Sequence, residues 1–182
     1  VATPPRIGYS AGKQRHLAAA PIGNLLMPLT VLIGLLLLIQ APAAPPPEHF
    51  FVGRTEGQGT VRMMLSGRHA VRDRSHGRME GPGVLLIDQV VEEEGKPARR
   101  RTWRLVRQGA NGVTGSISDA RGPIRGEVNG NVLHLRYTTQ ENVSVDQWIV
   151  IHPSGRTAFN RMSFSRLGLN VATMTGTIRR LD

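Results

Sequence analysis

No cysteine occurs anywhere in the 182 residues. That excludes disulfides, thiolate catalysis, a cysteine-based zinc site and a lipid-modified N-terminal cysteine. It leaves an oxidising compartment open, because larger exported domains fold without disulfides. Aromatic residues are scarce, at 4%. Phe50, Phe51, Trp103, Tyr137, Trp148, Phe159 and Phe164 are therefore expected to dominate the core. Acidic residues are missing altogether before Glu48. No internal repeat is present, and no helix-period run of any length follows the first quarter of the chain.

What the chain has in excess is positive charge, glycine and proline. The net charge is +10, and only Arg6, Lys13 and Arg15 of the basic residues precede Glu48. The remainder holds 20 basic and 13 acidic residues, a net +7. A basic surface suits anionic lipid headgroups, acidic polymers or nucleic acid. With no recognition-helix pattern, zinc finger or basic strand interleaved with stacking aromatics, no nucleic-acid partner is expected. The bland alternative is a set of solvated arginines. Twenty-one glycines and twelve prolines favour a turn-rich, all-β chain.

The chain divides into four parts. Residues 1–24 form a basic segment without periodicity. Residues 25–40 hold the apolar run LLMPLTVLIGLLLLI. As a helix its 15 residues reach ~22 Å, short of the ~30 Å hydrocarbon core, whereas the uncharged stretch from Ile22 to Ala44 is long enough to span. Positive charge ahead of the run puts the N-terminus in the cytoplasm and the rest outside. The run is either a retained inner-membrane anchor or the core of a signal peptide cleaved after Ala43, in the sequence Ala41-Pro42-Ala43. Residues 41–48 are a stiff Pro/Ala spacer. Residues 49–182 are the exported domain, periplasmic in either case.

Within that domain turn signals recur every eight to twelve residues, as in all-β sandwiches and barrels. Strands are read at Gly57–Leu65, Ala70–Met79, Val84–Glu94, Arg99–Arg107, Gly112–Ser118, Ile124–Asn129, Val132–Thr139, Val143–Ile151, Thr157–Phe164 and Asn170–Arg180. Asn129-Gly130-Asn131 is the strongest tight-turn signal.

The hairpin from Val143 to Phe164 is the densest polar-aromatic stretch. Asp146 and Trp148 share one strand face, and Asn160 or Arg161 is expected to oppose them across the hairpin. One reading is a clamp at a barrel mouth: Arg161 on a carboxylate or phosphate headgroup, Asn160 adding an amide, Trp148 stacking on the ligand body. The other is a register-setting Asp146–Arg161 ion pair. Trp103, with Arg101 two residues before it, is either a second clamp or a core residue covered by the arginine. Tyr137, on the face of Leu133 and Leu135, reads as core or as a ligand contact. The histidines show no metal spacing, so no metal or cofactor is expected. Asp73, Asp119 and Asp146 are isolated acids without a positioned partner, and no catalytic triad or nucleophile elbow is present. Gly53, Gly57 and Gly59 precede a strand rather than opening a helix, so they are not a dinucleotide loop.

An ordered set of residues runs the length of the domain. It comprises Phe50-Phe51-x-Gly53, Gly57-x-Gly59, Asp73-Arg74, Arg101-x-Trp103, Gly130-Asn131, Leu135-x-Tyr137, Asp146-x-Trp148, Asn160-Arg161 and Leu167-Gly168. In it the chain resembles a bacterial family of unknown function whose members are mostly short envelope proteins, often described as lipoproteins. Two departures stand out: the lipobox cysteine is absent, and the family's acidic pair before the tryptophan is Val145-Asp146 here. The resemblance implies a lipid-related role, and the family has no established catalytic activity. Together with the strand pattern it predicts an all-β fold. This is an antiparallel meander of about eight to ten strands, closed or nearly closed into a calycin/lipocalin-like β-barrel and preceded by one N-terminal hydrophobic helix. Three functions remain in play. The barrel binds a lipid-like or apolar small molecule, or it is an envelope interaction protein with a filled core, or it is an enzyme acting on lipid.

The charge asymmetry around the apolar run yields a topology prediction. A reporter enzyme that works only outside the cytoplasm, fused after Asp182, is expected to be active; a well-expressed but inactive fusion contradicts export. A mature form starting at Ala44 decides against the anchor while leaving export intact.

Overall fold

The computed structural model describes residues 46–182. The basic segment, the apolar run with its expected helix, and most of the spacer lie outside the described residues. Ten strands follow in chain order: β1 (Gly53–Met63), β2 (Gly67–Gly81), β3 (Val84–Glu93), β4 (Arg99–Gln108), β5 (Gly112–Ile117), β6 (Ala120–Asn129), β7 (Val132–Thr139), β8 (Ser144–Ile151), β9 (Thr157–Arg166) and β10 (Leu169–Arg180). Each runs antiparallel to the next, and β1 pairs with β10 from Thr55↔Arg180 to Met63↔Ala172. The expected meander is the observed one, and the barrel is fully closed.

Turn chemistry makes the hairpins. Leu167 (φ 51) and Gly168 (φ 79) both take left-handed backbone, the two-residue turn that matches strand twist and joins β9 to β10. Strand β6 departs from expectation. The sequence reading breaks it at Arg121-Gly122-Pro123, yet the strand runs through, with its register to β7 shifting between Arg121 and Arg125. Proline has no N–H for the ladder, so the strand bulges there instead of ending.

Alternation sorts the side chains. On β8, Val145, Gln147, Ile149 and Ile151 are buried, while Ser144 and Trp148 are exposed. Leu85, Ile124, Leu133 and Leu135 are essentially inaccessible. The expected aromatic core is only partly found. Phe50, Phe51, Trp103 and Tyr137 are buried, but Trp148 and Phe159 stand 43% and 49% exposed on the outer wall. Both fall on the outward parity of their strands, which hydrophobicity alone does not override. The Arg-rich outer face of the first strands is tied by cross-strand ion pairs, Arg74–Glu92, Arg78–Asp88 and Arg104–Glu80. Each exposed pair contributes about 0–1 kcal/mol.

The barrel's two ends differ. A 3-10 helix, Pro47–Phe51, closes the end at the β2–β3, β4–β5, β6–β7 and β8–β9 turns. Phe50 and Phe51 plug it, their rings edge to face at 5.1 Å. Gly77 makes room for the Phe51 carbonyl, which a Cβ there would strike. Pro47 and Glu48, residues that the sequence reading assigns to the spacer, are buried in this plug. Arg107 Nε lies 3.2 Å from Glu48 Oε1.

That ion pair ties the plug to β4. Arg107→Leu strands the buried Glu48 carboxylate and is expected to destabilise the domain by about 3 kcal/mol, toward the low end for a buried pair because Arg107 is partly solvated. The double variant Glu48→Leu/Arg107→Leu is expected to regain most of the loss. Urea midpoints check both, and an unchanged single variant contradicts the role.

Candidate ligand-binding site

Above the plug the barrel is hollow. A cavity of ≈ 410 Å³ occupies its interior, within the roughly 300–1,000 Å³ of small-molecule sites. Val71, Leu135, Val145, Met162 and Met174 supply much of its wall. It reaches the strand ends opposite the plug, where Met63, Lys96, Glu141 and Phe164 border it. Four acidic side chains (Asp73, Glu93, Asp119, Glu141) and three basic ones (Lys96, Arg99, Arg101) line it. The cavity is thus slightly acidic inside a basic domain.

A polar band crosses the wall formed by β2, β3 and β4. Gln89 is its hub. Its amide Nε2 donates to Asp73 Oδ2 at 3.0 Å, and its Oε1 accepts from Arg101 Nε at 2.7 Å and from Trp103 Nε1 at 2.9 Å. Ser75 Oγ donates to Asp73 Oδ2 at 3.3 Å. The Arg101 guanidinium sits 4.9 Å from the Trp103 ring and 3.7 Å from Asp119. Tyr137 packs edge-on against Trp103, centroids 5.6 Å apart. Asp73 lies over Gly57, and a side chain at Gly57 would collide with the carboxylate. Burial pushes the Asp73 carboxyl above its ordinary 3.8, against the lowering effects of the Gln89 amide, the Arg101 charge and Ser75. Burial likewise raises the Tyr137 hydroxyl, with the Arg101 charge opposing.

A second polar element faces the cavity from β8 and β9. Gln147 Nε2 donates to Asn160 Oδ1 at 3.0 Å, and both residues are buried. Gln147 Oε1 has no partner. The amide pair therefore keeps a free carbonyl, together with amino hydrogens beyond the one it uses.

The four-residue clamp expected at the hairpin is divided by the barrel wall. Asn160 opposes Ile149 and points inward, whereas Arg161 opposes Trp148 and points outward. Consecutive strand residues face opposite sides, so Asn160 and Arg161 cannot serve one site. Asp146 and Trp148 are also on the outside. Nor does Asp146 pair with Arg161. Its Oδ2 lies 3.1 Å from His134 Nε2 and its Oδ1 accepts from Trp148 Nε1 at 2.6 Å. The His134 ring stacks on the Trp148 indole at 3.8 Å, and Glu127 contacts its other nitrogen at 3.3 Å. This is an external staple across β6, β7 and β8. Of the expected site residues, Trp103, Tyr137 and Asn160 line the cavity; Asp146, Trp148 and Arg161 do not. Gln89 and Gln147 carry a signal in the sequence as well: each is a polar residue at an inward position of an apolar strand face.

Closure, a plug at one end and a cavity reaching the other define a class, the small hollow β-barrels of calycin type. Residues 41–180 match the model of a family described as "Protein of unknown function (DUF3833)", and the chain belongs to that family. No curated protein matches it in sequence. Among solved structures it is similar to an S-type phycobiliprotein lyase, CPES, from Guillardia theta, with TM-score 0.59 and 7% identity over 74% of this chain and 90% of that one. It is also similar to Rv2717c from M. tuberculosis, with TM-score 0.53 and 16% identity over 78% and 99%. A DUF3598-family protein from Nostoc punctiforme gives TM-score 0.55 and 10% identity over 73% of this chain, but only 48% of that one. At these identities the likeness is one of fold.

The buried carboxyl makes a pH prediction. A folded-state pKa above 3.8 means that the fold binds the proton more tightly than the unfolded chain does. The stabilisation is then fully present below 3.8 and is lost as pH rises through the folded value. Asp73→Asn removes the ionisation. Its stability relative to wild type is expected to climb as pH rises above 4 and then level off. Paired urea melts from pH 3.5 to 8 measure the difference, and a flat difference refutes the assignment.

Proposed function

We propose that the barrel is a non-enzymatic binding protein that holds one elongated, lipid-like molecule in its cavity, with an uncharged polar group turned toward the Gln147–Asn160 amide pair. The observation that carries the reading is the hollow interior, apolar over most of its wall and reaching one end of the barrel. A filled-core interaction protein has no use for such a space. The polar end follows from chemistry. A hydroxyl or an amide both donates and accepts, so it satisfies the free carbonyl and the spare amino hydrogens together. A carboxylate cannot donate, and it would enter a cavity whose acidic side chains already outnumber the basic ones. The proposal extends to location. The basic lead and apolar run ahead of the domain support an exported barrel, tethered to the inner membrane or released into the periplasm. One observation favours an enzyme instead: Asp73, a buried carboxyl with a raised pKa beside Arg101, is the kind of group that catalysis uses.

Trp103 lines the cavity and reports on it once Trp148→Phe silences the outer indole. Titration with 1-dodecanol is expected to shift Trp103 emission saturably. Dodecanoate is expected to bind about tenfold more weakly, the effect of one buried polar group left unpaired. Gln147→Leu is expected to erase that preference, and Ala172→Phe, which fills the cavity, to abolish binding. Absence of any saturable response to either compound overturns the proposal.

A further inference from the structure

The open end of the barrel carries an apolar feature on its outer surface, beside the cavity entrance. Leu65 and Leu167 stand at the tips of the β1–β2 and β9–β10 turns, 96% and 97% exposed, and Met64 and Leu169 beside them are each 69% exposed. The two turns adjoin, because β10 lies between β1 and β9 and Met64 N donates to Val171 O at 3.0 Å. Single exposed leucines are ordinary on a soluble surface. Four large apolar side chains on two touching turns form a patch, and patches mark contacts. The patch has a charge to match. Arg62, Arg68 and Arg166 flank it, all exposed. None of the three is within ion-pair distance of a carboxylate among the described residues. No acidic residue occurs from Gly57 to Arg72 or from Gln147 to Leu181, although the Glu94 carboxylate reaches in from the end of β3 to accept from Ala70 N at 3.1 Å. Moreover, Met63, Phe164 and Val171, which border these turns, also line the cavity.

We propose that the two turns are a lip that seats the open end of the barrel on an anionic bilayer. Convex apolar tips ringed by arginine suit a flat lipid interface. The side chains enter the boundary between headgroups and acyl chains while the guanidinium groups stay at the phosphates. A protein partner would instead have to offer an acidic, concave, apolar groove. The lip brings the cavity entrance against the surface from which an apolar ligand would come, although the docking itself requires no ligand.

The test reads orientation in the full-length chain, reconstituted with vesicles of phosphatidylcholine and phosphatidylglycerol bearing brominated acyl chains. In a Trp148→Phe background, Leu167→Trp places a reporter on the lip and Ser154→Trp places one on the β8–β9 turn at the plugged end. The parent with only Trp103 gives the background. Bromine is expected to quench the Leu167→Trp reporter and to leave the Ser154→Trp reporter at background. The lip quenching is expected to be lost when Arg62, Arg68 and Arg166 are replaced by glutamate, or when phosphatidylglycerol is omitted. Equal quenching at both ends, or none at the lip, overturns the proposal. Lip quenching indifferent to the arginines overturns the electrostatic docking. Self-association without lipid that disappears in Leu65→Ser/Leu167→Ser also overturns it, assigning the patch to a second copy of the chain.

Discussion

The pairing of β1 with β10 is the constraint on which everything else depends. A ten-stranded meander left open would expose two long edges, each a template for another chain. Closing it satisfies both edges and at the same time fixes how much space the wall encloses. Eight strands enclose about what side chains fill, and the enclosed diameter grows with strand number. Ten strands leave room. The space over Gly57 goes to the Asp73 carboxylate and that over Gly59 to the Met174 side chain, so the glycines let neighbours pack inward rather than forming the cavity themselves. The cavity follows from closure at this strand number. The plug of Phe50 and Phe51 then decides which end stays open.

Two polar systems with different duties sit on either side of that wall. Outside, His134, Asp146, Trp148 and Glu127 tie three neighbouring strands together, with the Trp148 ring shielding the imidazole. Inside, Gln89 joins Asp73, Arg101 and Trp103 into one network, while Gln147 keeps an unpaired carbonyl. The buried Asp73 carboxyl and the unpartnered Gln147 amide oxygen both cost free energy, and both line the cavity. They stand where a bound molecule would meet them. Their place on the cavity lining supports the proposed reading of the cavity as a site.

Much of the fold can be read along the chain because strand chemistry is local. Turn glycines, the Asn129-Gly130 pair and clean alternation in Val132–Thr139 each act over a few residues. The misreadings are also local in origin. Pro123 reads as a strand break, but a closed sheet absorbs it as a bulge. Trp148 and Phe159 read as core because aromatics usually are, but strand parity turns them outward. The clamp at the hairpin fails for the same reason, since Asn160 and Arg161 are neighbours in sequence and therefore on opposite faces.

The amino-acid sequence by itself determined the family, the all-β class, the number and direction of the strands, and which side chains share a face. Each of these is settled by short-range periodicity and turn geometry. Tertiary structure alone decided that β1 meets β10, that the interior is hollow, and that Asp73, Gln89, Arg101 and Trp103 meet in one network. It also placed the Leu65 and Leu167 turns side by side. These juxtapositions join residues far apart in the chain, and they depend on barrel radius and register, quantities that no local stretch contains.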